Sequence, residues 1–182
     1  MVTGKFIAGC VGLLMAGITH AASQSDWTRF LDQATFGARP QDIDAWKQQS
    51  MDGWIKAQAA LPATQYPNLP PYPQNSNTGC PGTGAVRNDC LQQNYSMYPL
   101  QVQFFQNALS APDQLRQKVA FALSEILVVS GVKVAQPSSV SPYLNVLVNG
   151  ALGNFRDLLE KVTLNPAMGY YLDMVNSDPA SA

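Results

Sequence analysis

The sequence is poor in the residues that carry most side-chain chemistry. It holds one histidine, His20, and three cysteines in 182 residues. Charged residues make up only 13% of it, against 46% hydrophobic, a low charged share for a globular chain. The formal net charge is -1, and no basic stripe runs along any segment. Nucleic-acid binding therefore lacks electrostatic support. The polar surface has to come mainly from Gln, Asn, Ser and Thr.

The lone histidine lies in a segment that reads as a removable leader. Lys5 forms a short basic start, and Phe6 to Ile18 is an uncharged, mainly apolar run of 13 residues. "THAAS" follows, with Thr19 and Ala21 fitting cleavage after Ala21. This is the pattern of a secretory signal peptide over residues 1–21, with export to the periplasm or medium. The run is shorter than the ~20 residues that span a bilayer. An uncleaved segment would be the only means of holding the chain to a membrane. "IAGC" at 7–10 resembles a lipidation box but precedes most of the apolar run.

Cleavage removes Lys5, Cys10 and His20, leaving 10 basic and 12 acidic residues and no histidine. A Ser-His-Asp triad, a Cys-His pair and histidine-based zinc or haem sites are then excluded within residues 22–182. No metal site and no cofactor is expected. Acid-base work would fall to carboxylates, Tyr, Lys or Arg, and only two glutamates, Glu125 and Glu160, are present.

The remaining residues, 22–182, read as one all-α domain of about seven or eight short helices. "DWTRFLDQATF" at 26–36 spaces Trp27, Phe30, Leu31 and Ala34 helically, with Ser25 or Asp26 as cap and Gly37 as terminator. "RPQDIDAWKQQ" restarts with Pro40 in its first turn. "SMDGWIKAQAAL" gives a third helix capped by Ser50. Residues 62–94 break the pattern. Pro62, Pro67, Pro70, Pro71 and Pro73 prevent helix and central strand alike, so this stretch reads as a long loop. Cys80 and Cys90 should close it by pairing in an oxidising compartment, since the spacing is not that of a redox pair. Tyr66 and Tyr72 are expected to pack the loop onto the body, the alternative being a display of aromatic faces to a sugar or peptide.

Helical signals return with "YPLQVQFFQNALS", which sets Leu100, Phe104, Ala108 and Leu109 on one face. Ser110 and Asp113 have capping-box spacing before "QLRQKVAFALSEILVVSG". At ~100° per residue, Leu115, Val119, Ala122, Leu123 and Ile126 fall on one face, predicted to be the core face. Gln114, Lys118, Phe121 and Glu125 form the opposite stripe. "SPYLNVLVNG" is expected to start with Ser141 as cap, and "NFRDLLEKV" to bury Phe155, Leu158, Leu159 and Val162. "ILVVSGVKV" admits a small hairpin at Ser130 and Gly131 as the alternative to helix and turn.

Glu125 and Asp173 are the candidate catalytic carboxylates. For Glu125 the bland reading is a structural ion pair with Arg29 or Arg156. For Asp173 it is hydrogen-bond acceptance at a helix end, with Asn176 one turn on.

"RFLDQATFGARPQDI" at 29–43, "GWIKAQ" at 53–58, "LRQKVAFALSEILVVS" at 115–130 and "GNFRDLLEKVTLNPAMGYYLD" at 153–173 together resemble the bacterial domain-of-unknown-function family 1800. The resemblance implies an exported, mainly helical bacterial protein and no established activity. Family members continue past the Leu-Asp block into an Asn-Glu-Asn and Ala-Arg-Glu-Leu motif. This sequence ends at "VNSDPASA", so it reads as the N-terminal portion, a truncated member. Uncovered apolar helix faces and self-association are then expected. Two functional readings follow. One is an interaction or structural module with an open patch around the Pro/Tyr loop. The other is a fragment of a carboxylate-dependent, hydrolase-like enzyme acting on an extracytoplasmic polymer, which needs two carboxylates within roughly 10 Å in a cleft.

Overall fold

The computed structural model describes residues 23–44 and 48–174. The expected leader, residues 1–21, and Asn176 lie outside these residues. Ten helices and no strand occur among them. They are α1 (Gln24–Ala34), α2 (Pro40–Asp44), α3 (Met51–Ala60), α4 (Ser76–Gly79), α5 (Gly84–Asn94), α6 (Tyr98–Ser110), α7 (Gln114–Ile126), α8 (Pro137–Gly150), α9 (Phe155–Thr163) and α10 (Pro166–Tyr171). The alternative hairpin at Ser130 and Gly131 is not formed. α7 ends at Ile126, and a turn follows over 131–133. Gly131 is pressed against Met97, whose Cγ would lie 2.3 Å from any Cβ placed there.

Local sequence sets most helix starts. Ser23 caps α1 in a reciprocal box with Asp26, one turn earlier than Asp26 itself would. Ser50, Asn154 and Asn165 cap α3, α9 and α10 through backbone N–H groups, satisfying donors that the first turn leaves unpaired. After α1, Gly37 takes a φ of 140°, which side-chain-bearing residues rarely adopt. Ser110 is not a cap. It ends α6 and donates to Gln106 O at 2.7 Å.

Two apolar clusters form. The smaller packs Trp27, Leu31 and Trp54 with Phe30, Ile43 and Leu115, and the Trp27 indole donates to Asp42 O at 2.8 Å. The larger is centred on α8, where Val140, Tyr143, Leu147 and Val148 meet Leu100, Ala120, Leu158, Val162 and Met168. α8 begins at Pro137, four residues before the expected cap. Pro137 suits a first turn because it has no N–H to satisfy. Ser141 is buried inside the helix, and its hydroxyl donates to the Pro67 carbonyl instead. Pro142 stands in the helix interior and has no N–H to give to the Ser138 carbonyl.

The segment expected as one loop, 62–94, is a strap followed by two helices. Residues 62–73 are extended and lie along α8. Without a strand partner, their backbone groups must find side chains, and α8 supplies them at fourfold spacing. Ser141 reaches Pro67 O. Asn145 accepts from Tyr66 N at 2.7 Å and donates to Tyr66 O at 3.1 Å, and Asn149 exchanges amide bonds with Gln65. The proline-rich composition thus predicted the strap, but α4 and α5 follow where prolines become sparse. Cys80 and Cys90 form a disulfide joining the two helices, and Arg87 donates to Cys80 O and to Asn77 Oδ1. Tyr66 is buried under the strap, as expected, and Tyr72 is half-buried with its ring edge-on to Tyr95 at 6.1 Å.

α7 is turned relative to its predicted wheel. Its buried residues are Gln114, Gln117 and Ala120, while Ala122 and Ile126 are exposed, Ile126 by 71%. α6 behaves similarly, burying Leu100 and Asn107 while Leu109 is 74% and Phe105 62% exposed. In α9, Leu158 and Val162 are buried, but Phe155 and Leu159 are exposed. For α7 the physical reason is a buried polar cluster at its start, which orients the helix through hydrogen bonds rather than through its apolar stripe.

Candidate functional site

The expected pairing of Glu125 with Arg29 or Arg156 is not formed. Glu125 lies near the exposed end of α7, in solvent, and Arg29 and Arg156 are exposed on α1 and α9. The ion pairs among the described residues are Arg39–Asp42, Lys56–Asp52, Arg116–Asp113 and Lys133–Asp173. A solvated carboxylate gains little from a distant cation and orders neither side chain. Asp173 sits just beyond α10 with a φ of 56°, and its carboxylate takes Lys133 Nζ at 2.5 Å. No group of three or more His, Cys, Asp or Glu among the described residues is placed to hold a metal ion.

The carboxylate at the centre of the fold is Asp113. It is fully buried and accepts from Thr64 N at 2.9 Å, Thr64 Oγ1 at 2.6 Å and Gln117 Nε2 at 3.0 Å. Arg116 Nε stands 3.9 Å away, too far for a hydrogen bond, and has no other partner. The other end of the Arg116 guanidinium donates to the carbonyls of Ala59 and Leu61. Gln117 also donates to Thr64 O at 2.9 Å. Gln114 donates to Asn107 O and Ala111 O, and Asn107 to Gln117 Oε1. Gln58 caps α7 from outside, accepting from Leu115 N at 3.2 Å. Every link runs between α3, the strap, α6 and α7. With its lone pairs taken by protein donors, Asp113 is a fastener rather than a reagent. Its capping-box spacing hid this role, since its side chain makes no cap bond to α7.

Open space with mixed chemistry lies elsewhere. A cleft of about 700 Å³ is bounded by the loop before α4, the 131–136 turn, the first turns of α8, and α10. Tyr95 and Tyr170 supply aromatic rings to it, Ser138, Ser139 and Asn165 supply polar groups, and Lys133 is its charged residue. The Tyr95 hydroxyl is committed to Pro73 O, and the Gln136 amide donates to Tyr72 O and Pro73 O, so the strap shapes one wall. Ser138, whose carbonyl receives no N–H from Pro142, is a residue of the same wall. Sequence reading missed Lys133, Ser138 and Tyr170, because chain segments some 40 to 90 residues apart meet there. A second cavity, about 400 Å³, is lined mainly by apolar side chains of α6, α7 and α8. Phe36, Phe104 and Phe121 meet edge-on or tilted there at 5.4 to 5.9 Å.

Residues 29–182 match the family described as protein of unknown function (DUF1800). The chain belongs to that family. The match takes in α2 to α10, most of α1 and therefore both cavities. No curated protein and no solved structure matches this DUF1800 chain. Among its described residues, no helix is long and apolar enough to cross a membrane.

Proposed function

We propose that this DUF1800 chain is an exported interaction module whose binding surface is the cleft beside the proline strap. The observation that carries this reading is the cleft itself. It is lined by aromatic, amide and hydroxyl groups, and Gln136 ties its wall to the strap at Tyr72 and Pro73. Its size falls in the range of small-ligand and oligomer sites. Export is supported by the leader pattern in residues 1–21 and by a disulfide, which suits an oxidising compartment. The hydrolase-like alternative draws no support from Glu125, whose carboxylate stands in solvent, or from Asp173, which is held by Lys133.

The test is co-sedimentation of the purified chain with the insoluble cell-envelope fraction, beside a Ser138→Trp variant that fills the cleft. Retention of the parent chain and loss of the variant is the expected result. Equal retention of both, or of neither, overturns the reading. N-terminal sequencing of the exported protein should begin at Ala22.

A further inference from the structure

Resting on that reading, we infer that the cleft takes a neutral glycan, an oligosaccharide segment rather than a single sugar. The lining residues divide into the two kinds of group that carbohydrate recognition requires. A pyranose ring offers an apolar C–H face to an aromatic surface, and hydroxyls at its rim to donors and acceptors. Tyr170 is the aromatic platform. It is 45% exposed on α10 and lines the cleft. Tyr95 opposes no ligand hydroxyl with its own, which is committed to Pro73, and contributes ring surface only.

Both donors and acceptors line the rim. The Ser138 and Ser139 hydroxyls make no hydrogen bond within the described residues and are able to give or accept one. Asn165 uses Oδ1 to cap α10 through Ala167 N, which leaves its NH₂ group for a ligand. Lys133 lines the cleft, and its Nζ pairs with Asp173 Oδ2 at 2.5 Å. A sugar hydroxyl at the rim can accept a hydrogen bond from the Lys133 ammonium.

The charge balance selects neutral over acidic glycans. Lys133, the charged residue of the cleft, is already paired with Asp173, so an acidic sugar gains no unpaired cation there. A peptide is less well served. Among the described residues there is no strand edge along which its backbone could pair, and the cleft is rich in hydroxyl and amide groups.

The probes are cellohexaose, chitohexaose and maltohexaose, titrated calorimetrically into the purified full chain. Its Tyr170→Ala and Lys133→Met variants are measured beside it, and thermal unfolding checks that each folds. Binding of at least one hexasaccharide is expected, weakened at least tenfold by Tyr170→Ala and by Lys133→Met at an unchanged melting temperature. A Tyr170→Phe variant keeps the platform and should bind within threefold of the parent. No heat with any of the three, or equal binding by Tyr170→Ala, overturns the inference. Envelope co-sedimentation separates this failure from failure of the broader reading. Cleft-dependent retention that survives periodate but is abolished by protease means a protein partner. The interaction module then stands and the glycan falls.

Discussion

Replacing Asp113 by alanine removes an acceptor that serves three protein donors in a fully buried site. Thr64 N and Gln117 Nε2 keep their polar hydrogens and lose this acceptor. Gln117 retains its bond to Thr64 O, and the Thr64 hydroxyl is free to turn, so part of the loss is recovered. Arg116 keeps its carbonyl bonds but loses the negative charge near its buried Nε. Removing one partner of a buried ion pair, here Asp113 beside Arg116, costs about 3 to 5 kcal/mol, and hydrogen bonds to charged groups contribute roughly 1.5 to 3 kcal/mol each without adding fully. For a domain of this size, about 2 to 4 °C of melting temperature accompany each kcal/mol. The Asp113→Ala chain should therefore melt more than roughly 6 °C below the parent. Asp113→Asn keeps the shape but turns an NH₂ toward a donor, so its loss should be smaller but measurable. A double-mutant cycle with Thr64→Val isolates the link between strap and α7, with an expected coupling of about 0.5 to 3 kcal/mol. Chemical denaturation supplies the free energies. A loss below about 1 kcal/mol for Asp113→Ala, or strict additivity with Thr64→Val, would refute the fastener role.

Reduction of Cys80–Cys90 should release α4 and α5, whose residues are not buried apart from their attachment at Cys80. The cross-link contributes roughly 2 to 3 kcal/mol in the chain-entropy model, so hydrogen exchange over 76–94 should accelerate while α8 stays protected. Unchanged protection after reduction would sink that account. Burial pushes the phenol of Tyr66 up to about 12, above the ordinary value near 10. The folded chain then holds a proton that the unfolded chain releases. The stabilisation is intact below about pH 10 and is lost as pH rises toward about 12. Tyr66→Phe should make unfolding less steep across that window, and identical alkaline profiles would contradict it. Self-association is expected through the exposed Phe105, Leu109 and Ile126, and Leu109→Ser with Ile126→Ser should reduce the apparent mass in solution scattering. A compact, monodisperse parent monomer would count against it.

Secondary structure was legible wherever the signal was local. Ser50, Asn154 and Asn165 announce helices that begin where they stand, and the proline run announces the extended strap. Helix starts failed where a residue had a stronger partner across the fold. Ser141 reads as a cap and Asp113 as the capping-box partner of Ser110, and both side chains bond to the strap instead, although Asp113 does stand at the N-cap position of α7. The wheel of α7 failed for the same reason. Counting apolar residues assumes that burial follows hydrophobicity, whereas here Gln114, Gln117 and Asp113 are inside because each is satisfied there.

The sequence by itself determined the all-α class, the disulfide partners, the strap and the exclusion of histidine chemistry from residues 22–182. These depend on composition, or on spacings within one or two turns. Tertiary structure alone decided which face of α7 is buried, that Glu125 is solvated rather than paired, and that Lys133, Ser138, Asn165 and Tyr170 share one cleft. Side-chain hydrogen bonds between distant segments fix those features, and a one-dimensional pattern holds no record of which donor will meet which acceptor.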